Sequence, residues 1–150
     1  MGWTMRVIRI GLASSIIEFQ DLRKRIVVDF QMHPFLKDTV FQVIDNHIAS
    51  PFIEPGSSQQ AINKAFIQTD LLIFLLGTKL GDRTKEEWKM TFPMNKPTIV
   101  LYNPAFESLT LDRLGSDPKA NNVHSVAMPD ASIPLWIAVL RQETLRLLIE

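Results

Sequence analysis

The residues with the clearest chemical potential stand close together in the middle of the chain, and they are Gly77, Gly81, Thr84, Glu87 and Trp88. A carboxylate can stabilise positive charge that develops on a substrate, and a glycine lets the backbone approach a ligand closely because it has no side chain. The two glycines do not form a phosphate-binding fingerprint, since the pattern G-x-G-x-x-G and a following Lys-Ser or Lys-Thr pair are both absent. We interpret them first as a turn, and we centre the candidate site on Glu87.

The elements that must position these residues form a βαβ unit. Residues 71–76 and 98–102 are continuous apolar runs, and the helix between them is predicted to begin at Thr84. Parallel strands that are covered on both faces are typically apolar at every position. In open α/β sheets the ligand lies beyond the carboxyl ends of the strands. The turn after residue 76 and the first helical turn are therefore the expected place for a site.

Glu87 also has a purely structural interpretation. Residues 84–87 fit a capping box, in which Thr84 caps the helix and Glu87, at the third helical position, bonds back to the Thr84 N–H. Such a contact contributes about 1 kcal/mol and does no chemistry. The spacing alone favours this cap, and it leaves Glu86 as a solvated carboxylate near the positive end of the helix dipole. Trp88, beside the carboxylate, is more often a core residue than a stacking platform.

Strands and helices alternate along the rest of the chain. The further predicted strands cover residues 5–11, 39–44 and 123–128, and the further helices cover residues 15–32, 57–68 and a terminal segment with Pro134 in its first turn. With right-handed crossovers this order predicts a single α/β domain of flavodoxin-like architecture. Its five-stranded, mostly parallel sheet has the strand order 2-1-3-4-5 and helices on both faces. The connection over residues 45–56 is a loop long enough to be functional.

The first and third strands are neighbours in that order, which brings Ser14 and Ser15 beside Gly77 and Glu87 on one rim of the sheet. Either serine hydroxyl could bind a ribose or a phosphate at a helix N-terminus. Helix capping is the alternative, because Ser15 and Glu18 fit a capping box. Ligand binding and helix capping both stay open for these serines.

The first helix has a predicted buried stripe and a basic segment. Four apolar residues recur at helical spacing and form the stripe, and they are Phe19, Leu22, Ile26 and Phe30. The basic segment covers residues 23–25. We interpret it as a solvated helix face rather than a binding patch, because no aromatic or second basic segment accompanies it.

The amino-acid composition argues against several classes of protein. The 150 residues contain 16 Lys and Arg against 16 Asp and Glu, so no basic excess suggests a nucleic-acid-binding surface. No cysteine is present, which excludes disulfides and thiolate metal sites. The amino-terminal residues do not resemble a signal peptide, and no apolar run approaches the roughly 20 residues that span a bilayer. We expect a cytoplasmic protein that does not bind a membrane.

The three histidines lie in unrelated segments, at His33, His47 and His124. No spacing of His, Asp and Glu resembles a metal site, and no serine stands in a nucleophile elbow. We therefore expect neither a metal centre nor a Ser-His-Asp triad.

Residues 135–140 of the terminal helix are apolar without interruption. A helix that is apolar on every side is either enclosed by the core or covered by a partner. We expect this segment to be partly exposed and to mediate self-association. The helix also lacks a stop signal at its end, so the chain is interpreted as a possible N-terminal domain of a longer protein.

Two segments resemble a known family. Residues 10–23, IGLASSIIEFQDLR, resemble the ASS-x-x-E-x-x-x-x-R opening of bacterial TIR-like domains, including the DUF4062-type branch. These are small effector domains at the N-termini of NTPase-type immune receptors. Residues 69–88 and the following KPTIV at 96–100 resemble the core of the same family. The resemblance covers most of residues 8–102 and little of the later part.

The resemblance implies a function for Glu87. TIR-type NAD hydrolases and nucleoside 2-deoxyribosyltransferases both carry a glutamate at this helix position, and both cleave a ribose C–N glycosidic bond. Glu87 matches that glutamate, with Thr91 where the family usually has alanine, whereas Glu86 is one register early. The implied ligand contacts are Ser14, Ser15, Gly77, Gly81, Thr84 and Trp88. The implied activity is hydrolysis of the nicotinamide–ribose bond of NAD, which is a substrate and not a cofactor.

The same resemblance implies an antiviral effector that is active when oligomerised, with a C-terminal NTPase or sensor domain in a longer protein. Two other functions stay open. One is a non-enzymatic TIR-like module that self-associates or binds a nucleotide signal. The other is nucleoside deoxyribosyl transfer, which needs an aspartate or asparagine from a partner subunit.

Overall fold

The apolar runs of the sequence form one parallel sheet. The computed structural model describes residues 5–14, 19–33, 35–44, 67–77, 82–104, 122–128 and 132–149. Its strands are β1 (Arg6–Ser14), β2 (Thr39–Ile44), β3 (Leu71–Leu76), β4 (Thr98–Tyr102) and β5 (Val123–Ala127). The strand order is β2-β1-β3-β4-β5, and every neighbouring pair is parallel. The predicted α/β class and strand order are confirmed, and the sheet of the described residues is parallel throughout.

Three helices cover the sheet in the part of the chain that the structure describes. They are α1 (Gln20–Met32), α2 (Asp82–Thr91) and α3 (Ile133–Ile149), and a short 3-10 turn, Phe92–Met94, follows α2. Helices α1 and α3 pack on one face of the sheet, and α2 packs on the other. The prediction of helices on both faces is therefore confirmed.

Strand β3 shows why the sheet is buried on both sides. Its alternate residues Leu71, Ile73 and Leu75 belong to the core under α1 and α3. The intervening residues Leu72, Phe74 and Leu76 belong to the core under α2. Since every side chain of the strand is inaccessible, a strand with one polar face could not occupy this central position.

Helices α1 and α3 are joined by aromatic and ionic contacts. The rings of Phe19 and Trp136 are 5.5 Å apart between centroids. The Arg141 side chain forms an ion pair with Asp29 at 2.9 Å, and it also donates a hydrogen bond of 3.0 Å to the carbonyl of His33. These contacts fix the amino-terminal end of α3 and its middle against α1.

The terminal helix is buried on one side only. Trp136, Ile137 and Leu140 are buried within this chain, whereas Leu135 is 42% exposed and Val139 is half-buried. The uninterrupted apolar segment is therefore neither fully enclosed nor fully open. Its remaining apolar surface is available for a contact.

Three predicted element boundaries are corrected. Strand β1 continues to Ser14 instead of ending at residue 11, because its last residues pair with β3 up to Ser14 opposite Leu75. Helix α1 begins at Gln20 after Phe19, which makes no side-chain capping bond. Helix α2 begins at Asp82, two residues before the predicted cap.

Several predictions lie outside the described residues. They are the capping box over residues 15–18, the loop over residues 45–56 and nearly all of the helix over residues 57–68. Within the described part of the chain, none of the helices combines the length and apolarity that crossing a bilayer requires.

Candidate functional site

The candidate site lies at the point in the sheet where the chain stops adding strands on one side of β1 and begins to add them on the other. From β1 the chain continues to β2 on one side of it, whereas β3 lies on the other side. The carboxyl ends of β1 and β3 are adjacent, with Ser14 opposite Leu75. Loops that leave such a switch point diverge and leave a crevice for a ligand. The prediction that the first and third strands are neighbours in the sheet is confirmed.

Helix α2 packs on the sheet with one row of residues. The buried members of the row are spaced at helical intervals, and they are Thr84, Glu87, Trp88 and Thr91. Residues three, four and seven positions apart share one face of a helix. Because this face packs toward the sheet and α2 contacts β1, Glu87 lies on the sheet side of its helix.

Glu87 is a buried carboxylate, with 4% of its surface exposed. Its neighbour Glu86 is exposed. An ionised carboxyl group inside a protein needs a charged or hydrogen-bonding partner, so a glutamate at this position places a demand on its surroundings that a leucine would not. A buried ionisable side chain of this kind is a candidate functional residue.

The predicted capping box is wrong. Because α2 begins at Asp82, Thr84 is its third residue and Glu87 its sixth. A capping box requires the threonine to precede the helix and the glutamate to be the third helical residue. Glu87 therefore does not have the position in the helix that a capping role would require.

Thr91 occupies the position where the resemblance places alanine. Its hydroxyl donates a hydrogen bond of 2.7 Å to the carbonyl of Glu87, one turn earlier. This contact satisfies the hydroxyl within the helix. Threonine can thus replace a small residue here without leaving a buried polar atom unpaired.

Ser14 is held by a buried arginine that the sequence prediction placed in solvent. Arg23 is only 2% exposed. Its Nη1 donates hydrogen bonds to the Ser14 hydroxyl at 2.6 Å and to the Ser14 carbonyl at 3.1 Å. Its Nη2 donates to the carbonyl of Leu12 at 3.4 Å. The expectation of a solvated basic face holds for Lys24 and Arg25, which are exposed, and is wrong for Arg23.

The helical period contains a signal that would have identified Arg23. It lies four residues after Phe19 and four before Val27, and both contribute to the core. It also follows Leu22 directly, so it lies next to the buried stripe of α1. An arginine on this flank must find hydrogen-bond acceptors inside the protein, and the end of β1 provides them.

Trp88 lies in the core. Its side chain is 1% exposed, and its ring stands edge-on to Phe74, with centroids 5.0 Å apart and an interplanar angle of 80°. Edge-to-face pairs of this kind contribute about 0.5–1.5 kcal/mol beyond their buried area. The structure thus places Trp88 under the candidate site, where it supports the helix that carries Glu87.

Of the remaining predicted ligand contacts, the structure describes two residues and leaves two outside the described ranges. Gly77 follows β3 directly and is buried, whereas Ser15 and Gly81 lie outside the described residues. Thr84 lies inside the first turn of α2 and is buried.

Lys96, which belongs to the second resembling segment, lies at the opposite edge of the sheet. Its ammonium donates hydrogen bonds to the carbonyls of Ile67 and Thr69, just before β3. Burial lowers the pKa of Lys96, and the nearby carboxylate of Asp70 opposes that shift. This lysine joins the amino ends of β3 and β4, at the edge of the sheet opposite to that of Ser14.

Metal ligation finds no support within the described ranges. No group of three or more His, Asp or Glu side chains lies close enough there to hold an ion.

The comparisons with known proteins identify a fold but not a family. No family model matches this sequence, and no curated protein matches it. Among solved structures, it is similar to the CMP N-glycosidase BcmB of Clostridium botulinum, with a TM-score of 0.59. The two chains are 20% identical, and the match covers 89% of this chain and 98% of the other. The chain shares its fold with a nucleotide N-glycosidase. At this identity the likeness shows the fold alone.

Proposed function

We propose that this protein hydrolyses the N-glycosidic bond of a nucleotide and that Glu87 is its catalytic carboxylate. The observation that carries the proposal is the burial of Glu87 on the side of α2 that packs on the sheet, in a helix that also contacts β1. The similarity in fold to an enzyme that cleaves this kind of bond in CMP adds support. The sequence resemblance to TIR-like domains and deoxyribosyltransferases points to the same bond.

The proposed chemistry suits a single buried carboxylate. When the C1′–N bond breaks, the bonding electrons leave with the base and an oxocarbenium-like ribosyl centre remains. Glu87 stabilises that positive charge and orients the ribose hydroxyls. The interaction is strong because the side chain is largely removed from water, which lowers the effective dielectric. Water then forms the new C1′–O bond and releases a proton.

We propose NAD as the first substrate, on the sequence resemblance. Nicotinamide is cationic while it is bound in NAD, so it departs as a neutral molecule and needs no proton. One carboxylate is then sufficient. The accompanying biological proposal is an effector of antiviral defence that acts after self-association through the exposed side of α3.

A nucleoside 5′-monophosphate is the second candidate substrate, because the structurally similar BcmB is named for cleavage of CMP. Cytosine leaves with a negative charge unless it is protonated, so this reaction requires a proton donor in addition to Glu87. The two substrates can be distinguished directly, since one releases nicotinamide and the other releases cytosine.

The test is incubation of concentrated protein with NAD and, separately, with CMP, followed by chromatography for the free base. The decisive variant is Glu87→Gln, which keeps the shape of the side chain and removes its charge. It should lower turnover at least about a hundredfold, or about 2.7 kcal/mol of transition-state stabilisation. Glu86→Gln is the matched control, because it changes the same group at the adjacent, exposed position, and it should keep wild-type activity.

Wild-type turnover in Glu87→Gln would show that this carboxylate is not catalytic. If wild-type protein releases no base from either substrate, the non-enzymatic interaction module becomes the better interpretation. Deoxyribosyl transfer is tested separately with 2′-deoxycytidine and a second free base, and it would yield the deoxynucleoside of that second base instead of free sugar.

A further inference from the structure

The contact between Arg23 and Ser14 fixes the direction of a hydrogen bond. A guanidinium group carries only donors and stays protonated in proteins. The oxygen of the Ser14 hydroxyl, 2.6 Å from Nη1 of Arg23, must therefore accept that hydrogen bond. The hydroxyl proton consequently points away from Arg23, so the group can still donate a hydrogen bond to a further partner.

The arginine itself is held rigidly in this position. Its Nη1 and Nη2 bind the carbonyls of Ser14 and Leu12 as well, and the side chain is buried between α1 and β1. Hydrogen bonds that involve a charged donor are stronger than neutral ones. They also polarise the accepting hydroxyl, which becomes a better donor in turn.

The polarised hydroxyl lies at the candidate site. Ser14 is the last residue of β1 and stands opposite Leu75, two residues before Gly77. It belongs to the carboxyl edge of the two strands between which a ligand is expected. Both side chains are largely buried, with 7% of Ser14 and 2% of Arg23 exposed.

We propose that Arg23 is a positioning residue, which acts through Ser14 to present a hydroxyl donor to an acceptor oxygen of the bound nucleotide. The inference rests on the proposed function in taking a nucleotide as the ligand. The acceptor oxygen belongs either to a phosphate or to the ribose. Arg23 does not contact the nucleotide, so its effect on binding depends on the Ser14 hydroxyl.

The test is a double-mutant cycle on ligand affinity, measured by calorimetry. The variants are Arg23→Lys, Ser14→Ala and the combination of both. Lysine keeps the positive charge but lacks the planar fork that can bind two acceptors at once. Ser14→Ala removes only the hydroxyl, because the backbone carbonyl of residue 14 remains. Arg25→Lys is the matched control, since it makes the same change at an exposed position of the same helix.

Each single variant should weaken nucleotide binding about tenfold, the usual effect of losing a hydrogen bond to a charged or polarised group. Arg23→Lys should have little further effect when Ser14 is already alanine, because the two residues act as one unit. Arg25→Lys should bind like wild type. Urea unfolding of each variant establishes that the protein used for titration is folded.

The ligands are the pairs CMP and cytidine, and NAD and nicotinamide riboside. A loss confined to the phosphorylated member of a pair places the acceptor on a phosphate, and an equal loss for both members places it on the ribose. Additive effects of the two substitutions would show that Arg23 does not act through Ser14 and would overturn the proposal. Unchanged affinity in both single variants, or failure of all four ligands to bind wild-type protein, would overturn it as well.

These outcomes are separate from those of the proposed function, because calorimetric binding requires no turnover. Binding that depends on Arg23 and Ser14 without release of a free base would reject the glycosidase and leave the positioning role intact. Cleavage that is insensitive to both substitutions would do the reverse.

Discussion

Substitution of Trp88 distinguishes a core residue from a stacking platform for the substrate. The side chain is 1% exposed and meets Phe74 edge-on at 5.0 Å. Truncation of a buried tryptophan to alanine typically lowers the free energy of unfolding by about 3–5 kcal/mol. About 0.5–1.5 kcal/mol of that loss is the aromatic pair. A domain of ordinary stability, about 5–15 kcal/mol, would lose a large share of it.

The assay is urea denaturation of Trp88→Ala and Trp88→Phe, with the midpoint and slope fitted together. Phenylalanine keeps an aromatic ring against Phe74, so this variant should lose clearly less stability than the alanine variant. Val28→Ala is the control, because Val28 is an exposed apolar residue and surface truncations usually change stability by less than about 0.5 kcal/mol.

The reasoning fails if Trp88→Ala lowers the free energy of unfolding by less than about 1 kcal/mol while its affinity for NAD or CMP falls sharply. That combination would mean that the ring contributes to the ligand site and not to packing. A large loss of stability with unchanged affinity in Trp88→Phe supports the core position.

Two further predictions concern the pH dependence of stability and self-association. Burial lowers the pKa of Lys96, so the folded state loses this proton at a lower pH than the unfolded state does. The free energy of unfolding of wild type, relative to that of Lys96→Met, should therefore be constant near neutral pH and increase as the pH rises toward 10.5. A decrease over that range in urea titrations would contradict the lowered pKa. Leu135 is an exposed large apolar residue of α3, so Leu135→Glu should reduce oligomer formation in analytical ultracentrifugation without loss of stability. The control Val28→Glu on α1 should leave oligomer formation unchanged. Wild-type protein that is fully monomeric while it cleaves substrate would refute the role of α3.

The pattern of apolar residues in the sequence was sufficient to predict the architecture of the sheet and its helices. The runs that became β3 and β4 are apolar at every position, which identifies strands covered on both faces. Right-handed connection of alternating strands and helices then leaves few possible orders, and the observed order is the one that was predicted. Glu86 was predicted to be solvated and it is exposed, whereas the adjacent Glu87 is buried.

Tertiary structure alone decided how the site is assembled. Sequence period shows that a residue lies on an inner face, but not which atoms lie opposite it. Arg23 is buried because β1 runs on to Ser14 and offers two carbonyls and a hydroxyl at its end. Pairing with β3 produces that extension, and β3 lies far away in sequence.

The two accounts of Glu87 illustrate the same limit. The capping box was consistent with every residue of the segment, and it failed because the helix starts at Asp82. Helix ends depend on local contacts worth about 1 kcal/mol each, which tertiary packing readily outweighs. The sequence therefore distinguished Glu87 from Glu86, while the packing of α2 on the sheet determined where the helix begins and that Glu87 is buried.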